Sequence, residues 1–193
     1  MTQLADEWLF LRTFFESPLR MGSPVASSRR LAQAIAAKTE LGSGPILELG
    51  AGTGSVTAAI LDRGVSPSRL LVVESDEDFV QRLRERFKQC KILAGDAFKL
   101  EGMLQRIGWE QRFGSVVSGI PVLTQPMHVR QSFLSTVMRW LNPGAPFIQF
   151  SYGSSPPIPP PDEVSVHHAE TVWQNLVPMH IWVYRMKGPT TKL

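Results

Sequence analysis

Short apolar runs alternate along this chain with segments whose apolar residues recur every three or four positions. Ile46-Leu47-Glu48-Leu49 follows a Gly44-Pro45 turn signal and predicts a buried strand. Leu70-Leu71-Val72-Val73-Glu74, residues 91–94, Val116-Val117 and residues 147–150 predict four more. Between them, helical spacing predicts helices over 29–38, 55–63, 76–89, 100–107 and 129–141. Ser27 or Ser28 can cap the first of these, Gly64 stops the second, and Asn142-Pro143-Gly144 stops the last. In the helix over 76–89, Phe79, Leu83 and Phe87 make the buried face, and Arg82, Arg84, Arg86 and Lys88 the solvated side. The proline-rich stretch 154–161 is rigid and donor-poor, so it predicts a loop over one edge. Residues 164–173 and 180–187 then predict an antiparallel pair joined through 175–178. The sum is α/β: a doubly wound seven-stranded sheet ending in a reversed hairpin.

The first twenty residues stand apart. Leu4, Trp8, Leu11 and Phe15 fall at helical spacing, Leu9, Phe10 and Phe14 widen the apolar arc, and Pro18 ends the pattern. Such a stripe must be buried. It can pack on the domain or a partner chain, or it can lie in a membrane interface with Arg12, Arg20, Arg29 and Arg30 against anionic headgroups. The periodicity allows both. The expected organisation is an amphipathic helix over 1–20 and one domain over 21–193.

The chemistry is concentrated where the first strand ends. Gly50, Gly52 and Gly54 follow Glu48-Leu49 directly, and a helix begins at Ser55. Its N-terminus offers free N–H groups and a positive dipole end to an anion. A dinucleotide loop would space its glycines differently, and a carboxylate at Glu48 would repel a pyrophosphate. S-adenosylmethionine (SAM) fits better, because it carries an ammonium, a sulfonium and a carboxylate. Glu74 closes the second strand, where an acid can accept both ribose hydroxyls. Gly95-Asp96-Ala97 follows the third strand, where Asp96 can accept from the adenine amine or simply form a turn. Thr53, Ser75 and Ser118 complete the expected cofactor contacts. These residues predict a SAM-dependent methyltransferase.

The acceptor side is expected at Ser118-Gly119-Ile120-Pro121. Proline fixes the turn and holds the preceding residue extended, so that the Ile120 carbonyl can face the site. Nucleobase amino methyltransferases place an aromatic after the proline to stack on the base, whereas this chain has Val122. That favours a flexible aliphatic amine.

Composition narrows little further. With 43% hydrophobic and 19% charged residues over 193 positions, the chain suits one globular domain. No apolar run approaches eighteen residues, and no signal-peptide pattern opens the chain. The single Cys90 excludes an internal disulfide and any cysteine-cluster metal site, and no metal is expected. A net charge of +3 suits an anionic surface, lipid or nucleic acid.

Five stretches together resemble the bacterial phospholipid N-methyltransferases that make phosphatidylcholine from phosphatidylethanolamine. They are Val25-Ala26-Ser27-Ser28-Arg29, Glu48 to Gly54, Ser118 to Pro121, Gln149-Phe150-Ser151-Tyr152-Gly153, and Trp173-Gln174-Asn175-Leu176-Val177-Pro178. One departure is Leu176-Val177-Pro178, where a second proline is expected. The resemblance implies SAM as methyl donor, a class I SAM-dependent methyltransferase fold, and an N-terminal helix that touches anionic membrane through Trp8, Leu11, Arg12 and Phe15. It also implies phosphatidylethanolamine and its methylated forms as partners, on the inner face of the cytoplasmic membrane. No nucleic acid partner is expected, and a monomer is.

Methyl transfer to an amine is an in-line displacement that needs chiefly alignment, worth about 7–11 kcal/mol. Ile120 and Tyr152 are the expected catalytic positions, and Tyr152, His167 or His168 are candidate bases; alternation lets at most one of the histidine pair face the site. Tyr152 and Trp173 can hold a methylated ammonium by cation–π attraction, worth about 0.5–2 kcal/mol. Arg29 or Arg20 is the candidate for the lipid phosphate, and Trp140 and Trp182 are expected to pack. Two competing functions are a SAM-dependent RNA adenine methyltransferase and a non-catalytic membrane scaffold that keeps the SAM fold.

Overall fold

In the computed structural model, residues 24–173 and 178–188 are described. The expected amphipathic helix over 1–20, with Trp8, Leu11, Arg12, Phe15 and Arg20, lies outside the described residues. So do 174–177 of the terminal motif.

Helix α1 (Pro24–Ala37) precedes β1 (Ile46–Leu49), α2 (Ser55–Asp62), β2 (Leu70–Glu74), α3 (Glu77–Arg86) and β3 (Lys91–Ala94). Then come α4 (Leu100–Arg106), β4 (Ser115–Ser118), α5 (Met127–Trp140), β5 (Phe147–Ser151), β6 (Val164–Val172) and β7 (Met179–Met186). The seven strands form one sheet in the order β3-β2-β1-β4-β5-β7-β6. The first five are parallel, and β7 runs antiparallel between β5 and β6. This is the class I methyltransferase sheet.

Strands β1, β2, β4 and β5 are buried along their whole length, as parallel strands covered on both faces must be. Alternation divides the core. Ile46, Ile148, Phe150, Ile181 and Val183 pack with α1, α2 and α3, whereas Leu47, Leu49, Phe147, Trp182 and Tyr184 pack with α4 and α5. The register sets Leu49 beside Ser118 and Ser151 beside His180, so the carboxyl ends of β1, β4 and β5 form one rim with the start of β7.

Several boundaries differ from those the pattern predicts. Helix α1 spans Pro24–Ala37, so Ser27 and Ser28 lie inside the helix and not ahead of it. Helix α3 begins later and ends earlier than 76–89. Asp76 caps it, its Oδ1 accepting from the Asp78 and Phe79 N–H groups at 3.0 and 3.2 Å. Phe79 thus falls in the first turn and is half-buried, and Val80 takes its place beside Leu83 in the core. The proline-rich stretch is a strap on a sheet face, not an edge loop. Ile158 is fully buried there, with its N–H and carbonyl both bonded to the Tyr184 hydroxyl, at 3.2 and 3.0 Å. Arg130 of α5 donates to Pro157 O at 2.8 Å from the other side. Trp182 is buried and Trp140 half-buried, both in the core as expected.

Candidate active site

The glycine loop is built by packing as much as by ligand demand. Gly54 caps α2 in the left-handed region, at φ +77, and a Cβ there would stand 2.5 Å from Phe87 and 2.8 Å from Leu83. Arg86 of α3 donates to Thr53 O at 3.1 Å, and Thr53 Oγ1 lies 3.1 Å from Ser55 Oγ. Helix α3 therefore braces the loop from behind. The charged spacing of α3 gave Arg86 no such role.

The two acids take different positions. Glu48 is 2% exposed and turned beneath the loop, where Thr57 Oγ1 donates to its Oε2 at 2.7 Å. Burial raises its pKa to about 7, against the lowering effect of the Thr57 hydrogen bonds, and nearby Glu74 adds to the rise. Glu74 is a clamp at the lip. Its Oε2 accepts the Gly52 N–H at 2.8 Å, and its Oε1 accepts those of Ser75 and Asp76 at 2.7 and 3.0 Å. The strand-end position pointed to a ribose contact; the structure adds that Glu74 ties the glycine loop to β2.

Beside Glu74 lies a cleft of ≈ 180 Å³, whose walls include Gly50, Ser75, Asp96, Ala97, Ile120 and Pro121. Gly95 borders it as well, backed by Met103. Asp96 forms a turn: its Oδ1 accepts from the Phe98 N–H at 2.9 Å, which leaves its other oxygen for a donor in the cleft. Ser118 is fully buried, and its hydroxyl accepts from the Ile120 N–H at 3.4 Å, so it shapes the loop behind the cleft.

A second, smaller cleft adjoins it, between the loop after β4 and the end of β5. Gly119 to Thr124 line one wall, and Phe150, Ser151 and Tyr152 the other. Ile120 and Tyr152 therefore line the same cleft, but the Ile120 carbonyl is already committed. It accepts from the Val122 N–H at 2.8 Å and from Gln149 Nε2 at 3.1 Å. Gln149, 1% exposed on β5, was given no role by its place in the sequence, because its partner lies 29 residues earlier.

Trp173 and Arg29 do not join this cleft. Trp173 is 74% exposed beyond the end of the outermost strand, facing a groove with Arg30 and Thr171. Arg29 is exposed on α1. His168 lies on the α5 side of β6 beside His180, and His167 points to the opposite face. Cys90 is half-buried, and burial pushes its thiol pKa up. Among the described residues, no group of histidine, cysteine and acidic side chains could hold a metal ion.

A family model for a methyltransferase domain matches residues 46–144. Over 152 residues the chain is also 34% identical to the ornithine lipid N-methyltransferase of Singulisphaera acidiphila, covering 77% of this chain and 79% of that one. The chain belongs to the methyltransferase family.

Solved structures share its fold at lower identity. Magnesium protoporphyrin IX methyltransferase from Synechocystis, with bound SAM, superposes with TM-score 0.63 at 11% identity, over 95% of this chain and 92% of that one. TrmN from Thermus thermophilus gives 0.61 at 18%, over 91% of this chain but 53% of its own. Part of the chain, 88 residues or 45%, is 31% identical to ribosomal RNA small subunit methyltransferase A of Pelagibacter ubique, over 33% of that protein.

The cofactor of this methyltransferase is SAM, and the residues present fit it. A Cβ on Gly50 would come within 3.1 Å of Ile120, so the glycine keeps the passage between loop and cleft open. Asp96 lines the wider cleft with one carboxylate oxygen left for a donor, Glu74 stands beside that cleft, and the Glu48 carboxyl lies beneath the loop. SAM supplies a methyl group activated by its sulfonium. The protein supplies alignment between two adjoining clefts.

Proposed function

We propose that this methyltransferase methylates the amine of a membrane aminolipid, phosphatidylethanolamine and its methylated forms, leading toward phosphatidylcholine. The observation that carries the reading is the 34% identity, over 79% of its length, to a protein named for N-methylation of ornithine lipid. Ornithine lipid and phosphatidylethanolamine both present a primary amine on an acyl-bearing scaffold. The acceptor cleft supports the same choice. Its walls are mostly apolar, and Val122 is 1% exposed in the turn after Pro121, where a base-stacking aromatic would stand.

The site acts by placement. An amine entering between Pro121 and Tyr152 stands beside the SAM cleft, since Ile120 and Pro121 border both. Apolar walls favour the neutral amine, the form that has a lone pair. Tyr152 offers a ring face to the methylated cation, worth about 0.5–2 kcal/mol. Arg29 and Arg30, exposed on α1, are available to a lipid phosphate. The enzyme works at the inner face of the cytoplasmic membrane, held there by residues 1–20.

The test is transfer of labelled methyl from SAM to liposomes of phosphatidylethanolamine with an anionic lipid, run beside ornithine-lipid liposomes and RNA. Mono-, di- or trimethylated phosphatidylethanolamine is the expected product. Label in ornithine lipid alone would move the substrate within the aminolipids. Label in RNA alone would overturn the proposal in favour of the RNA adenine reading, which the partial match to the ribosomal RNA enzyme keeps in view.

A further inference from the structure

Ser151 ends β5 and lines the acceptor cleft, yet its hydroxyl is buried without a hydrogen-bond partner. Two polar groups of the facing loop are committed elsewhere. The Ile120 carbonyl serves Val122 and Gln149, and Thr124 Oγ1 donates to Pro121 O at 2.8 Å. A buried hydroxyl left unpaired costs stability unless water or a ligand completes it.

Across the sheet, Ser151 and His180 are register partners on antiparallel strands. Their side chains therefore stand on the same face, with Cα atoms about 4.5–5.5 Å apart. His180 Nδ1 lies 3.2 Å from His168 Nε2 and 3.1 Å from Thr171 Oγ1, and Thr171 Oγ1 lies 2.9 Å from His168 Nε2. His168 is exposed and packs edge-on against Trp182, with ring centroids 5.2 Å apart. The order Ser151, His180, His168 thus runs from a buried cleft to solvent.

Resting on the aminolipid reading above, we propose that Ser151 and the His180–His168 pair form the proton exit of the acceptor cleft. The amine arrives as an ammonium. One of its protons passes to Ser151 Oγ while the Ser151 hydrogen moves to the His180 ring, directly or through one water. The other ring nitrogen hands a proton to His168 and so to solvent. The amine lone pair then forms the N–C bond as the C–S bond breaks, with its electron pair left on sulfur.

Burial and then the neighbouring His168 both lower the His180 pKa, which favours the neutral ring, the form with a lone pair free to take a proton. Among the described residues, the groups facing it are His168 and Thr171 on β6, Ser151 on β5 and Trp182 on its own strand. Glu170 is paired with Lys38 at 2.8 Å instead.

The experiment compares wild type with His180→Gln, His168→Gln and Ser151→Ala. It follows kcat/KM for phosphatidylethanolamine liposomes from pH 5.5 to 9.5, with calorimetric SAM binding and thermal melts alongside. His180→Gln should lose about 100-fold at pH 7. It should recover as the pH rises toward the amine's own pKa or when imidazole is added, and should bind SAM as wild type does. Ser151→Ala should show the same pH dependence, and His168→Gln a weaker version. An active wild type whose His180→Gln and Ser151→Ala variants keep its rate and pH profile would overturn the relay alone. A wild type that methylates no aminolipid would overturn the reading beneath it. Should His180→Gln melt early, His180→Asn and Ser151→Ala carry the comparison.

Discussion

Replacing Glu48 by glutamine should make the apo-protein more stable at alkaline pH and remove much of its pH dependence. In the folded protein this carboxyl has a pKa of about 7 against an ordinary 4.5, because burial penalises its charge. A raised carboxyl pKa means that the folded state holds the proton more tightly. Stability is therefore full below about pH 4.5, falls as the pH rises toward 7, and levels off above it. A difference of about 2.5 pH units at 1.36 kcal/mol each is about 3 kcal/mol. In a domain of this size that corresponds to about 6–12 °C in Tm. Glu48→Gln cannot ionise, and its amide oxygen can still accept from Thr57 Oγ1.

The measurement is Tm against pH from 4.5 to 8.5 for both proteins without SAM. Other titrating groups, His180 included, act on both curves and cancel in their difference. That difference should be near zero at pH 4.5 and grow through pH 7 in favour of Glu48→Gln. SAM binding should show the reverse, since two cations near the site favour the ionised acid. Wild-type affinity should rise about tenfold from pH 6 to 8 if the ionised form alone binds, whereas the affinity of Glu48→Gln stays flat and weaker. Parallel melting curves would refute the reasoning.

Three further outcomes follow from the geometry. Gly54→Ala combines a left-handed φ with a Cβ 2.5 Å from Phe87, so it should cost about 2–4 kcal/mol in thermal melts; adding Phe87→Ala should recover part of the loss. Glu74→Gln sets an amide donor against the N–H groups of Gly52, Ser75 and Asp76, and should weaken calorimetric SAM binding by about tenfold or more; unchanged affinity would dismiss the clamp. Tyr184→Phe removes both bonds to Ile158, at 3.2 and 3.0 Å, and should cost about 1–2 kcal/mol while exposing the 154–161 strap to limited proteolysis.

The strands, the glycine loop and the order of elements were legible because each is a local signal. Apolar runs of four or five residues between turn residues admit few other readings once helices separate them. What escaped the sequence depends on distant partners. Nothing near Ile158 says that Tyr184, 26 residues later, will bind its backbone and pull the prolines onto the sheet. Ser27 and Ser28 look like caps because the pattern weighs side chains, whereas the helix already includes them. Trp173 belonged with Tyr152 by residue type, but strand order puts β7 between the strands they follow, β6 and β5. Glu48 was placed beside the loop by the sequence; which way it points is set by Thr57, in the first turn of α2.

The two clefts are brought together by one contact, and it explains a glycine that no backbone angle requires. The loop after β4 crosses the glycine loop so closely that a Cβ on Gly119 would stand 2.6 Å from Gly50 O. The Gly119 N–H donates to Leu49 O at 2.8 Å, which fixes this crossing to the end of β1. On one side, Glu74 holds the Gly52 N–H; on the other, Gln149 holds the Ile120 carbonyl. Each cleft is thus fastened to a different strand, the wider to β2 and the smaller to β5, and the two loops touch between them. A displacement of either loop changes the line along which a methyl group would travel. On the proposed reading, alignment, the largest contribution this chemistry needs, accordingly rests on two buried polar side chains, Glu74 and Gln149, bonded mainly to backbone.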